Sequence, residues 1–149
     1  MGSNPTPSAT SQLSAFSFQL SGKHGGKETL VQDFRNLKVW QKAHALAVAI
    51  YKDSASFPRE ELFGLTSQMR RAATSIPSNI AEGCGSGTDG GLRRSLRVSM
   101  GSASELEYQL LLCRDLGFVG TDSYAARNAD VTEVKRMLAP FIQRLIAES

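Results

Sequence analysis

Ser75-Ile76-Pro77-Ser78-Asn79-Ile80-Ala81-Glu82-Gly83 reads as the second half of an amphipathic helix with a proline inside it. Proline in a helix interior removes one backbone donor and crowds the carbonyl four residues back, here that of Ala73, at a cost of about 3 kcal/mol unless something compensates. The periodicity nevertheless demands helix. Leu65, Met69, Ala72, Ala73, Ile76, Ile80 and Gly83 fall on one side at 3.6-residue spacing, while Arg71, Ser75, Ser78 and Glu82 line the other, with Asn79 at the border. The expectation is a helix bent at Pro77, with Thr74, Ser75 or Ser78 taking up the freed carbonyl.

The polar stripe has two readings. Arg71, Ser75, Asn79 and Glu82 can form a hydrogen-bonded network that fixes the helix against its neighbours. They can also form a binding surface, since Arg and Asn grip phosphates and base edges. Four residues on one helix favour the structural network.

Working outward, the chain before this helix gives a first one from Asp33 or Asn36 to Ser56, with a broad apolar stripe of Leu37, Trp40, Ala43, His44, Ala47, Ile50 and Tyr51. Asn36 is the expected N-cap. Phe57-Pro58 ends the helix because the residue before proline is pushed out of the α region. The second helix then opens as a loose turn after Pro58-Arg59-Glu60-Glu61 and runs to about Cys84. The glycine-rich run Gly85 to Gly91 reads as a loop and lacks the Lys-Ser/Thr ending of a phosphate-binding loop.

A third helix, about Gly90 to Leu116, carries Leu92, Leu96, Ser99, Ala103, Leu106, Leu110 and Cys113 at spacings of three and four. Its centre, Gly101-Ser102-Ala103-Ser104, has little side-chain bulk, which predicts close approach of a neighbouring helix at Gly101 and places Glu105 to pair with Arg71 or Asn79. Gly117 and Gly120 end it, and Thr121 or Asp122 is the expected cap of a fourth helix to about Ala147, with Tyr124, Val131, Val134, Leu138, Phe141 and Leu145 on one side. Pro140 should bend this helix without ending it. The fold class is all-α, an antiparallel up-down four-helix bundle over residues 33–149 with a proline-kinked second helix. Residues 1–32, rich in Ser, Thr, Gly and Pro, read as a flexible N-terminal tail, within which Leu13 to Leu20 alternates like a short strand or docking segment.

The 149 residues suit one bundle domain plus this tail, and the net charge is +3. Cys84 and Cys113 have no metal-ligand spacing and read as reduced core residues of a cytoplasmic protein. No apolar run is long enough to span a membrane. His44 is the lone histidine of the bundle, no Glu-x-x-His pair occurs, and no nucleophile and base stand together, so neither an enzyme nor a cofactor is expected.

These motifs carry a resemblance. Leu37-Lys38-Val39-Trp40-Gln41-Lys42-Ala43, Phe57-Pro58, the run from Glu61 to Ala73, Ser75 to Gly83, and Gly101-Ser102 followed by Glu105-Leu106-Glu107 are similar to those of the four-helix-bundle proteins encoded by intervening sequences of bacterial large-subunit ribosomal RNA genes. The chain departs from that pattern at Cys84, at Gly90-Gly91-Leu92 and at Ser95. The resemblance implies a barrel-like homopentamer, similar to the accessory protein of diversity-generating retroelements, a relative associated with nucleic acid and a reverse transcriptase.

Charge supplies a candidate surface. Between Thr66 and Ser104 five arginines face only two acids, Glu82 and Asp89. Arg93, Arg94 and Arg97, with Arg70 on the second helix and Lys38 and Lys42 on the first, form the candidate RNA- or DNA-binding set, and a ring would repeat it. Arg93 and Arg97 share a face, and Arg94 should lie at its edge. The competing function is a protein-interaction module in which the charge is incidental.

Overall fold

The computed structural model describes residues 33–148. Four helices make up the molecule among these residues, with no strand: α1 Lys38–Ser54, α2 Leu65–Gly85, α3 Asp89–Asp115 and α4 Thr121–Glu148. Short 3-10 turns at Phe34–Asn36 and Arg59–Glu61 precede α1 and α2. The expected tail, including Leu13 to Leu20, lies outside the described residues.

Local chemistry sets the helix ends. Asp33, and not the expected Asn36, is the side chain that caps: it accepts from the Arg35 N–H at 3.0 Å and so caps the 3-10 turn, while Leu37 leads extended into α1. Before α2, the Glu61 carboxylate reaches forward to the Leu65 N–H at 3.2 Å. The loop between α2 and α3 is shorter than the glycine run suggested, because Gly90 and Gly91 belong to α3. Thr88 caps α3 by accepting from Gly91 N–H at 3.0 Å. At the other end Gly117, at φ +76, allows Phe118 N–H to reach Cys113 C=O and Gly117 N–H to reach Arg114 C=O, which together satisfy two terminal carbonyls. Phe118 then packs on Phe57, with ring centroids 5.7 Å apart.

α1 packs on α2 and α4, α2 on α3, and α3 on α4, so the contacts close around one core. The core takes Leu46, Ile50, Met69, Ile76, Ile80, Leu92, Leu96, Leu106, Leu110 and Phe141, each almost wholly buried. In α1 the buried face is turned from the expected stripe. Val39 and Leu46 join Ala43 and Ile50 inside, whereas Trp40 is only partly buried and His44 and Tyr51 are exposed. Cys84 and Cys113 are buried free thiols, as their neighbours in the pattern predicted. Burial, aided by the Asp33 carboxylate, pushes the Cys84 thiol up to about 12, and burial with Glu61 pushes Cys113 up to about 11. Both stay protonated in the fold where free thiols ionise, so stability is lost as pH rises from about 9 towards these values.

α2 continues unbroken through Pro77. The hydroxyls nearby do not serve the Ala73 carbonyl as expected: Thr74 Oγ1 donates to Arg70 C=O at 2.9 Å, and Asn79 Nδ2 donates to Ser75 C=O at 2.8 Å. Instead α3 reaches across. Ser99, fully buried, donates to Ile76 C=O at 2.9 Å, and Ser102 Oγ donates to Ser75 Oγ at 2.8 Å.

The close approach of α2 and α3 is real but lies elsewhere than Gly101. Gly101 is exposed, and a Cβ there would meet nothing within 4 Å. Gly83 is the tight position. A Cβ on it would stand 2.9 Å from Leu92 Cδ1, 3.0 Å from Ser95 Cβ and 3.3 Å from Leu92 Cα.

Thr66 places a hydroxyl inside this core. Its side chain is 2% exposed, and Oγ1 has no hydrogen-bond partner among the described residues. An orphaned buried hydroxyl costs about 1–3 kcal/mol, and an apolar group of the same shape removes that cost. Thr66→Val is therefore expected to raise stability by roughly 1 kcal/mol, read as a higher denaturation midpoint in urea. A lower midpoint would show that the hydroxyl is satisfied.

Candidate nucleic-acid interface

Leu92, Leu96 and Ser99 turn inward, and their burial forces the opposite side of α3 outward. Arg93, Arg94 and Arg97 thereby line one shallow cleft with Gly90 and Val98, with a volume of about 400 Å³. Arg94 lines this cleft with them. Arg94 and Arg97 are exposed and Arg93 is half-buried. A Cβ at Gly90 would meet nothing within 4 Å, so the first turn of α3 is open on that side, where the positive end of the helix dipole adds to the guanidinium charge; Gly91 is covered by Ser86 and Thr88.

Asp89 is the one nearby carboxylate that matters. Burial raises its pKa above the ordinary carboxylate value, Glu148 at the end of α4 raises it further, and Arg93 opposes both. Its Oδ1 is buried without a hydrogen-bond partner among the described residues. As pH falls Asp89 loses its charge earlier than an ordinary aspartate does, and the arginines are then less opposed.

The other candidate cations lie on different surfaces. Lys38 and Lys42 line a cleft of about 520 Å³ between α1 and α4 together with Asp130 and Glu133. Arg127, in the same cleft, binds Asp53 at 2.9 Å and Asp130 at 2.6 Å, so this surface is a mixed-charge seam. Arg70 is committed to the fold. Its Nε donates to the buried Ser54 Oγ at 2.9 Å, and its guanidinium lies 4.8 Å from the Tyr51 ring centroid. The candidate set drew these charges from helices that face different ways: Lys38 and Lys42 share one cleft, Arg70 lines another with Arg71, and the three α3 arginines line a third.

The polar network is smaller than the stripe suggested. Ser75, Asn79 and Ser102 are joined, with Asn79 Nδ2 also 3.0 Å from Ser75 Oγ. Arg71 and Glu105 face the same small cleft beside Ser75, yet no ion pair joins them among the described residues. Glu105 accepts from Gln109 on its own helix at 3.2 Å. Glu82 is exposed and stands outside the network.

Sequence reasoning missed a further concave surface. Phe34, Trp40, Ala47, Tyr51, Pro77 and Ala81 line an apolar groove of about 600 Å³ between α1 and α2. Trp40 and Tyr51, counted in the broad α1 stripe but left out of the core, were its signal in the sequence. Among the described residues no group of three or more His, Cys, Asp or Glu side chains is placed to hold a metal ion, and no helix is long and apolar enough to cross a membrane.

Comparison with curated proteins finds no match. Among solved structures, the chain is similar to a protein with unknown function from the S23 ribosomal protein family of Bacteroides thetaiotaomicron, with 26% identity and a TM-score of 0.65 over 70% of this chain and 95% of that one. The family of the 23S rRNA-intervening sequence protein matches residues 35–140, a span that holds α1 to α3, the larger part of α4 and every candidate cation. The chain belongs to the 23S rRNA-intervening sequence protein family.

Proposed function

We propose that this protein is a non-enzymatic, cytoplasmic scaffold that binds RNA or DNA through the start of α3. The observation that carries the reading is the convergence of Arg93, Arg94 and Arg97 on one open cleft. Guanidiniums fork onto phosphate oxygens, and the start of α3, open at Gly90, adds the positive end of its dipole beside them. The cleft side chains supply charge and contact area, with no acid-base or nucleophile pair among them, so the chemistry they support is binding.

The bundle in this reading is antiparallel and up-down, which the short connections between consecutively packed helices support. It assembles as a homopentamer, as family resemblance implies, and the repeated clefts form one concentrated positive field. Sedimentation at micromolar concentration should give a species several times the 16.1 kDa of one chain. A monomer would remove the assembly.

The bend at Pro77 is part of this assembly. Pro77→Ala restores a backbone donor but removes the shape to which the neighbours are packed. The expected result is unchanged helical circular dichroism with an altered sedimentation coefficient. No change in either would separate the proline from assembly.

A protein-interaction module is the second reading, favoured by Phe63, which is 93% exposed beside the exposed Leu62. Untagged protein separates the two. Nucleic acid should co-purify with it at low salt and be released as salt is raised. Protein free of nucleic acid at every salt concentration would favour the interaction module.

A further inference from the structure

We propose that the apolar groove between α1 and α2 is the docking site of this chain's own segment Phe16-Ser17-Phe18-Gln19-Leu20. This surface is separate from the arginine cleft, and the inference does not depend on nucleic-acid binding. Trp40 forms the heart of the groove. Its ring stacks on His44 with centroids 5.0 Å apart and planes within 4°, and Phe34 leans on it at 4.9 Å. These contacts hold an aromatic wall open beside Ala47, Tyr51, Pro77 and Ala81, with Lys52 and Ser78 also in the lining. An apolar cleft of about 600 Å³ has the size and chemistry of a site that takes a few large apolar side chains.

The position of the preceding chain selects the occupant. It enters the described structure at Asp33, next to Phe34, which is itself part of the groove wall. Phe16, Phe18 and Leu20 lie at alternate positions, so an extended segment presents all three on one side. No charged side chain occurs before Lys23, so nothing in the segment opposes burial against an apolar wall. From Leu20 to Asp33 the thirteen intervening steps reach at most about 45 Å when extended. The groove along α1, from Trp40 to Tyr51, spans only about 16 Å. The tether therefore covers the whole site, and it holds the segment at an effective concentration on the order of millimolar, enough to fill a weak site.

Trp40 is the sole tryptophan of the chain, so its emission reports on the groove directly. The comparison is full-length protein against the full-length triple variant Phe16→Ser, Phe18→Ser, Leu20→Ser, which alters no residue of the bundle core. Wild type should show bluer emission and acrylamide quenching weaker by about twofold, as expected for a tethered segment filling most of the sites. A peptide of residues 11–22 added at millimolar concentration should restore protection to the variant. Equal emission and quenching in the two proteins would overturn the proposal. Protection that rises with protein concentration equally in both would also overturn it, and would give the groove to a second copy of the chain.

Discussion

Gly83→Val should destabilise the protein by about 3 kcal/mol, near the upper end of typical overpacking costs. The reason is local and steric. A single Cβ at Gly83 already falls inside van der Waals contact with Leu92 Cδ1 and Ser95 Cβ, and comes within 3.3 Å of the Leu92 Cα. Leu92 is fully buried, so its side chain has no free space to retreat into, and the backbone of α3 must move. A β-branched side chain adds two more carbons at the same point. Separation of α2 from α3 would also pull Ser99 from the Ile76 carbonyl and Ser102 from Ser75. Gly83→Ala is the graded control. Alanine gains about 1 kcal/mol of helix propensity over glycine, which partly offsets the collision, so the loss should be smaller. Urea denaturation followed by circular dichroism reads both variants. A Gly83→Val protein as stable as wild type would show that the helices do not meet there.

The second large effect is expected at the cleft. Arg93→Ala combined with Arg97→Ala should weaken binding to a generic structured RNA by roughly 10- to 100-fold at 0.1 M salt, if each arginine neutralises one phosphate. Arg94 lines the same cleft, so Arg94→Ala should weaken binding in the same direction. Lys38→Ala with Lys42→Ala should do much less, because those lysines share their cleft with Asp130 and Glu133. Direct titration of labelled RNA and duplex DNA measures all three. An equal loss from the lysine pair would mean that binding tracks net charge and has no localised site.

The four helices were legible because apolar residues recur at three and four over long windows, and their ends carry strong local signals. Gly117 and Pro58 each act through the adjacent backbone, so the boundaries fell within a few residues, whereas the Thr88 cap of α3 was hidden in the glycine-rich run. Gly101 shows where such reading stops. A helix turns about 100° per residue, so a small residue beside the buried Ala103 can still face solvent, as Gly101 does. Gly83, already on the apolar side of α2, was the better candidate for helix contact. The charge set is dispersed over separate surfaces for a related reason. Arg70 is tied to Ser54, sixteen residues away, by tertiary packing that no local pattern encodes. Arg93, Arg94 and Arg97 converge because they occupy neighbouring positions on one helix, and the apolar periodicity of that helix identified its buried side correctly.

Whether the α3 arginines engage phosphates is decided by the salt dependence of binding. Affinity for duplex DNA should fall linearly on a log-log plot against salt, because each neutralised phosphate releases condensed counterions. Between wild type and the Arg93→Ala, Arg97→Ala variant the slope should become shallower by about 1.8, which is roughly 0.9 for each phosphate no longer neutralised. Parallel plots for the two proteins, or equally weak binding by both at about 0.05 M salt, would rule out phosphate recognition by these arginines.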